Sequence, residues 1–201
     1  MLKKIIRWLV EKRIKRCYSR EKDGKGGVNV INVVEKITNA VQLLQKYDIA
    51  DTLPVDVEGI CEKEGFTVNF VDLSRLEKEY KKAIYGVLYV HPDGKDIFVS
   101  ERDIPERQRF TIAHELAHYY LHLGDNPPEQ GSIISFRGER SRREHEADQF
   151  AAELLMPEDA VWGFVEEGRT PFISDFAQGF DVSKAAMRYR LDKLNLRYID
   201  L

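Results

Sequence analysis

The feature that most constrains this chain is a His-Glu-x-x-His pattern formed by His114, Glu115 and His118. Residues four apart on an α-helix lie about 40° apart around the axis and one turn apart along it. Two imidazole rings can therefore reach one metal ion from the same side of a helix. Glu115 projects beside them, where its carboxylate can contact a water molecule without being a ligand. The pattern also arises by chance, so a metal site requires a further ligand elsewhere in the chain.

The residues around this pattern predict the helix itself. Asp103 is a suitable N-cap, Pro105 suits the first turn and Gly124 is a suitable end. Apolar residues recur at helical spacing from Phe110 to Leu121. We therefore expect a helix between Asp103 and Gly124, with both histidines at the border of its apolar face.

A second predicted helix, residues 143–155, supplies the further carboxylates. Glu144 falls roughly 50° from the centre of its apolar face, whereas Glu146 falls roughly 110° away. Glu144 is therefore the better third ligand for a zinc ion that keeps one position open. Asp148, one turn further, can accept the other ring N–H of a liganding histidine. His122, at i+4 from His118, is either a rival ligand or a polar neighbour of the site.

Together the two helices resemble the ImmA/IrrE family of zinc metallopeptidases, and more broadly the gluzincins. The resemblance is carried by R-F-T-I-A-H-E-L-A-H-Y-Y-L-H and E-H-E-A-D-Q-F-A-A-E-L-L-M-P. It implies that His114, His118 and Glu144 bind one Zn²⁺ per chain, that Glu115 is catalytic, and that Asp148 supports a ligand. It also implies a protein substrate, namely a helix-turn-helix transcriptional repressor of stress or mobile-element genes.

The predicted fold class is α+β, a small antiparallel sheet packed with the two metal helices, with helical N- and C-terminal appendages. Strands are expected at 66–71, 83–90 and 96–100, the last two joined by a hairpin turn. An edge strand beside the metal could bind an extended substrate by strand addition. The sequence leaves open which strand forms that edge.

Three regions are expected: a basic amphipathic helix and glycine-rich linker at 1–27, a zinc metallopeptidase domain at 28–165, and a helical segment at 166–201. Residues 1–27 carry ten Lys/Arg and three Asp/Glu, a net charge of +7 that leaves −10 for the rest. Peripheral membrane contact through 1–16, contact with an acidic partner and packing on the chain's own domain are all compatible with this pattern.

The last region contains F-A-Q-G-F-D-V-S-K-A-A-M-R-Y-R-L, which resembles a helix-turn-helix. Its predicted second helix carries four basic residues: Lys184, Arg188, Arg190 and Lys193. Direct DNA binding is one interpretation. Docking of a partner protein and packing of a helical hairpin on the core are the favoured alternatives.

The composition, 43% hydrophobic and 32% charged, is that of an ordinary globular protein. No apolar run approaches the ~18 residues of a transmembrane helix. The two cysteines, Cys17 and Cys61, suit a reducing compartment, so we expect a cytoplasmic location.

The sequence predicts a zinc metalloendopeptidase in which Glu115 is the general base. The donor that would stabilise the oxyanion stays open, with four tyrosines as candidates by residue type: Tyr85, Tyr89, Tyr119 and Tyr120. The alternative is a non-catalytic regulatory protein that binds a repressor or DNA, with zinc structural or absent.

Overall fold

The computed structural model describes residues 39–49, 52–123, 131–138, 140–165 and 171–200. These residues belong to one compact unit, Ile37–Leu201. The predicted basic helix and linker at 1–27 lie outside the described residues. Within the described residues, no helix has both the length and the apolar character needed to span a membrane.

Eight α-helices and four strands make up the described fold. The helices are α1 (Ala40–Tyr47), α2 (Val57–Lys63), α3 (Ser74–Tyr80), α4 (Pro105–Ala117), α5 (Arg142–Leu155), α6 (Glu158–Phe164), α7 (Ile173–Phe180) and α8 (Lys184–Lys193). The strands are β1 (Phe66–Val71), β2 (Ile84–His91), β3 (Gly94–Ser100) and β4 (Gly131–Phe136). A π-helical turn, His118–Leu123, follows α4 directly. The α+β fold class is confirmed.

The four strands form one sheet in the order β1-β3-β2-β4. The predicted β2–β3 hairpin is present, and β2 also pairs antiparallel with β4, whereas β1 pairs parallel with β3. The edge strands are therefore β1 and β4. Sequence reasoning missed β4, which lies inside the presumed connection between the metal helices. Its sequence, Gly-Ser-Ile-Ile-Ser-Phe, does not alternate between polar and apolar residues, so it does not show the pattern that marks a half-buried strand.

Helix α4 packs on β2 and β3 of the sheet, α5 packs on α4, and together they bury the main apolar core. Ile112 and Leu116 of α4 and Leu154 of α5 have no exposed surface, and neither has Leu88 in β2. Helix α3, which sequence reasoning missed, is joined to the sheet by Glu77, whose carboxylate accepts a hydrogen bond from the Ile84 N–H at 3.0 Å. The sheet thus supports the first metal helix directly, and the second lies against the first.

The ends of the first metal helix differ from those expected. Ile104 occupies the N-cap position, and Asp103 instead pairs with Arg137 and Arg107. The α-helical part ends at Ala117, and the chain continues as the π-helical turn rather than as α-helix to Gly124. Such wide turns occur frequently at functional sites.

The C-terminal helices share the core of the other described helices. Phe176 and Phe180 of α7 and Met187 and Leu191 of α8 are fully buried in the same cluster. Ser183 is the N-cap of α8, because its hydroxyl accepts a hydrogen bond from the Ala186 N–H at 3.1 Å.

Two arginines join these C-terminal helices to the metal helices. Arg109 of α4 donates to the Asp181 carbonyl at 3.2 Å and to the Val55 carbonyl at 2.8 Å. Arg190 of α8 is buried and donates to the Met156 carbonyl, just after α5, at 2.9 Å. The α7–α8 hairpin is therefore fastened to both metal helices.

Phe176→Ala is expected to destabilise the whole described unit by about 3–5 kcal/mol, because it opens a cavity in the shared core. Urea denaturation combined with hydrogen exchange of the α4 amides measures this. Phe172→Ala removes a ring that is 41% exposed and is the matched control. Unchanged protection of α4 in Phe176→Ala would show that α7 and α8 fold separately.

Candidate metal centre

Three predicted ligands meet where α4 and its π-helical turn pack on α5. His114 and His118 bring their Nε2 atoms within 3.0 Å of each other. Each Nε2 lies 3.1 Å from one carboxylate oxygen of Glu144. The ligand atoms of the three residues all lie within 4.8 Å of one another, and the three side chains are buried.

The donor set and its placement suit a metal ion. Two imidazole nitrogens and one carboxylate are the ligands of a zinc site that keeps a further position open. Glu144 stands in the first turn of α5, where Ser141 caps the helix by accepting a hydrogen bond from the Glu144 N–H at 3.2 Å. The helix dipole favours a carboxylate at that end. The described fold therefore holds a buried His-His-Glu cluster that fits a metal ion.

Each histidine of the cluster has a polar partner at its other ring nitrogen. His114 Nδ1 lies 2.9 Å from a carboxylate oxygen of Asp148, in the predicted position. His118 Nδ1 lies 2.9 Å from His122 Nδ1, and His122 Nε2 lies 3.2 Å from Glu146. His122 is thus a neighbour of His118 and stands outside the three-residue cluster. Its contact with Glu146 was missed, although both residues could be named from sequence.

The protonation of the cluster is set by these contacts. Burial lowers the pKa of His114, but its hydrogen bonds to Asp148 and Glu144 outweigh this and raise the pKa to about 10. Burial raises the pKa of Glu144, but its bonds to His114 and His118 outweigh this and lower the pKa to about 2. A metal ion that binds here must displace a proton from the imidazole of His114.

Glu115 occupies a different environment, wholly buried against the sheet. A Cβ atom added at Gly86 of β2 would lie 2.8 Å from Glu115 Oε1, so the carboxylate fills the space of a missing side chain. Neither carboxylate oxygen has a hydrogen-bond partner among the described residues. Burial raises the pKa of Glu115, whereas the charges of His114 and His118 lower it, and the net direction is upward.

A groove of about 550 Å³ opens beside the cluster. His114, Glu144 and Asp148 line it, together with Phe136 of β4, whereas Glu115 and His118 are not among its lining residues. Tyr85 is the one of the four candidate tyrosines that lines it. The groove gives the cluster an opening large enough for part of a polypeptide.

Helix α8 forms one wall of the same groove through Ser183, Ala185, Ala186 and Tyr189. This role was missed because it depends on how the C-terminal hairpin packs. Of the four basic residues on which the DNA-binding interpretation depends, Arg190 is buried and Arg188 pairs with Asp200. These contacts leave α8 with fewer free charges than its sequence suggests.

Removal of bound metal with a chelator is expected to give a protein whose stability falls as pH rises above about 6.5. The pKa of His114 is raised from 6.5 to about 10 in the fold, so its contribution is complete below 6.5 and is lost toward 10. Melting temperatures measured from pH 6 to pH 9 test this. Asp148→Asn weakens the bond that raises the pKa, so it should flatten the slope. An equal slope in both proteins would contradict the assignment.

Comparison with known proteins agrees with this geometry. Residues 61–192 match the peptidase family described as the IrrE N-terminal-like domain. The radiation response metalloprotease IrrE of Deinococcus deserti is 30% identical over 134 residues, which are 64% of this chain and 43% of that protein. Its Deinococcus radiodurans counterpart is 33% identical over 106 residues, 50% of this chain and 31% of that protein. The chain thus spans less than half the length of these curated relatives. Because the family match covers well over half of the chain, it belongs to the ImmA/IrrE family of metallopeptidases.

Proposed function

We propose that this chain is a zinc-dependent endopeptidase in which His114, His118 and Glu144 hold one zinc ion. The observation that carries the proposal is the buried cluster of these three side chains at the end of a groove that can admit a polypeptide. A structural zinc site is usually closed by four protein ligands, whereas a catalytic one has three and an open position.

Bound zinc would supply Lewis acidity that acidifies a water molecule and polarises a peptide carbonyl. Glu115 would accept a proton from the attacking water and later donate it to the leaving amine. Its buried carboxylate supports this role because burial raises its pKa above the ordinary value of a glutamate, as a general base near neutral pH requires. Glu115 does not line the groove. A water molecule must therefore move from the groove toward the buried carboxylate before Glu115 can contact it.

The substrate backbone is expected to bind along β4. This strand has no partner on its outer side among the described strands, and its last residue, Phe136, lines the groove. Strand addition supplies main-chain hydrogen bonds and presents alternate side chains to pockets. Tyr85 lines the same groove and is the candidate donor to the developing oxyanion.

The substrate class follows from the family resemblance rather than from the groove. We propose that the protein substrate is a helix-turn-helix repressor. Its cleavage in the cytoplasm would allow the repressed genes to be transcribed. The printed name of both relatives, a radiation response metalloprotease, is compatible with a stress-regulatory role.

Elemental analysis should find about one zinc per chain in the wild type and a strong loss in Glu144→Ala. The variant removes one of three protein ligands and leaves two histidines that bind the metal weakly. Glu153→Ala, on the same helix, removes a carboxylate that contacts Gln149 and is the matched control. Equal zinc in wild type and Glu144→Ala would contradict the ligand assignment.

Glu115→Gln should keep its zinc and lose cleavage by at least about 10²-fold, because the amide cannot accept the proton. Candidate helix-turn-helix repressors co-expressed with wild type or variant, and read by mass spectrometry for truncated products, provide the assay. Cleavage that survives in Glu115→Gln would remove Glu115 as the base. A repressor that wild type and variant both bind, and neither cuts, would favour the regulatory alternative.

A further inference from the structure

The two histidines of the cluster are supported in different ways. The free ring nitrogen of His114 meets a carboxylate directly, at Asp148. That of His118 meets a second imidazole, His122, and only beyond it a carboxylate, Glu146. The His122 side chain is 5% exposed, so water competes little for these contacts.

The distances allow one proton arrangement when His118 presents its Nε2 lone pair to a metal. The neutral ring then carries its proton on Nδ1 and donates it to His122 Nδ1, which must be unprotonated. His122 accordingly carries its own proton on Nε2, where it donates to Glu146. Every donor in the series then faces an acceptor, and the last acceptor is an anion.

Glu146 is itself held from the far side. Its second oxygen accepts a hydrogen bond from Arg142 Nε at 2.7 Å, one turn earlier on α5. The Arg142 side chain is 91% exposed, so this pair contributes orientation more than stability. The π-helical turn carries both His118 and His122, and α5 carries both Glu144 and Glu146. Each of these two elements therefore carries one residue of the cluster and one residue that supports it.

We propose that His122 and Glu146 are positioning residues, which orient the His118 ring and raise its affinity for the metal through the series His118–His122–Glu146. This inference rests on the proposed function in one respect: it takes His118 as a zinc ligand. The proposal excludes His122 from the metal ligands, because the Nε2 atom of His122 contacts Glu146 and not the His114–His118–Glu144 cluster.

Metal affinity tests the proposal without reference to catalysis. Zinc dissociation constants are measured by competition with a chromophoric chelator, and the visible spectrum of the cobalt-substituted protein reports ligand geometry. His122→Phe keeps the ring volume and removes the acceptor, so zinc binding should weaken about 10–100-fold. His122→Asn keeps an acceptor oxygen near the Nδ1 position and should recover part of the loss.

A double-mutant cycle distinguishes a hydrogen-bond relay, the series His118–His122–Glu146, from simple packing of the side chains. Glu146→Ala alone should weaken zinc binding, whereas adding it to His122→Phe should produce little further loss, since the series is already broken. Glu153→Ala on the same helix should bind zinc as the wild type does. Melting curves of each variant identify any that fail to fold, and for those His122→Leu and Glu146→Leu, which also remove the acceptor, replace the original changes.

Four outcomes decide the matter. Zinc affinity within about threefold of wild type in His122→Phe, with an unchanged cobalt spectrum, would reduce His122 to a packing residue and overturn the proposal. Additive losses in the double variant would overturn the relay. A wild type that binds neither zinc nor cobalt would overturn it together with the proposed function. Coupled losses in a protein that cleaves no repressor would uphold the relay and reject only the proposed function.

Discussion

The structure depends on one costly arrangement, the burial of ionisable side chains between α4, α5 and the sheet. Buried charges destabilise a fold unless each finds a partner. Both histidines contact Glu144 through Nε2. Through Nδ1, His114 contacts Asp148 and His118 contacts His122, so each ring nitrogen of the cluster has a polar partner. This pairing raises the pKa of His114 and lowers the pKa of Glu144. A divalent cation placed among these groups would take over the role that a proton plays in its absence.

The second requirement is that the two metal helices keep their spacing, and the C-terminal hairpin contributes to this. Arg109 ties α4 to the turn between α7 and α8, and Arg190 ties α8 to the end of α5. Both arginines donate hydrogen bonds to backbone carbonyls. These bonds give the carbonyl oxygens a partner and hold the backbone in position. The same hairpin then lines the groove through Ala186 and Tyr189. The structure thus agrees with the interpretation of this segment as a helical hairpin packed on the core, where it joins the two metal helices and lines the groove.

The features that can be read from the sequence are those whose chemistry is local. The spacing of His114 and His118 is fixed by helical geometry, and the angular position of Glu144 on its own helix separated it from Glu146. The β2–β3 hairpin carries its own turn residues and was equally readable. Strand β4, the wall formed by α8 and the support of His118 could not be read, because each exists only once distant elements pack together. The π-helical form of His118–Leu123 is likewise a tertiary outcome.

Glu115 is the residue of the candidate site that lies against the sheet, beside Gly86 of β2. Glycine in a strand interior usually weakens the strand, and it often marks a close approach by another group. At Gly86 the approaching groups are Glu115 and Thr111, both within 2.8 Å of where a Cβ would stand. The pairing of β2 with β4 shifts register between Ile84 and Gly86, and Gly86 faces Ser135. The irregularity in the sheet therefore coincides with the buried carboxylate, on the strand next to the edge where a substrate would add. In the proposed function, the same stretch of β2 would therefore govern both the alignment of a substrate on β4 and the location of the base.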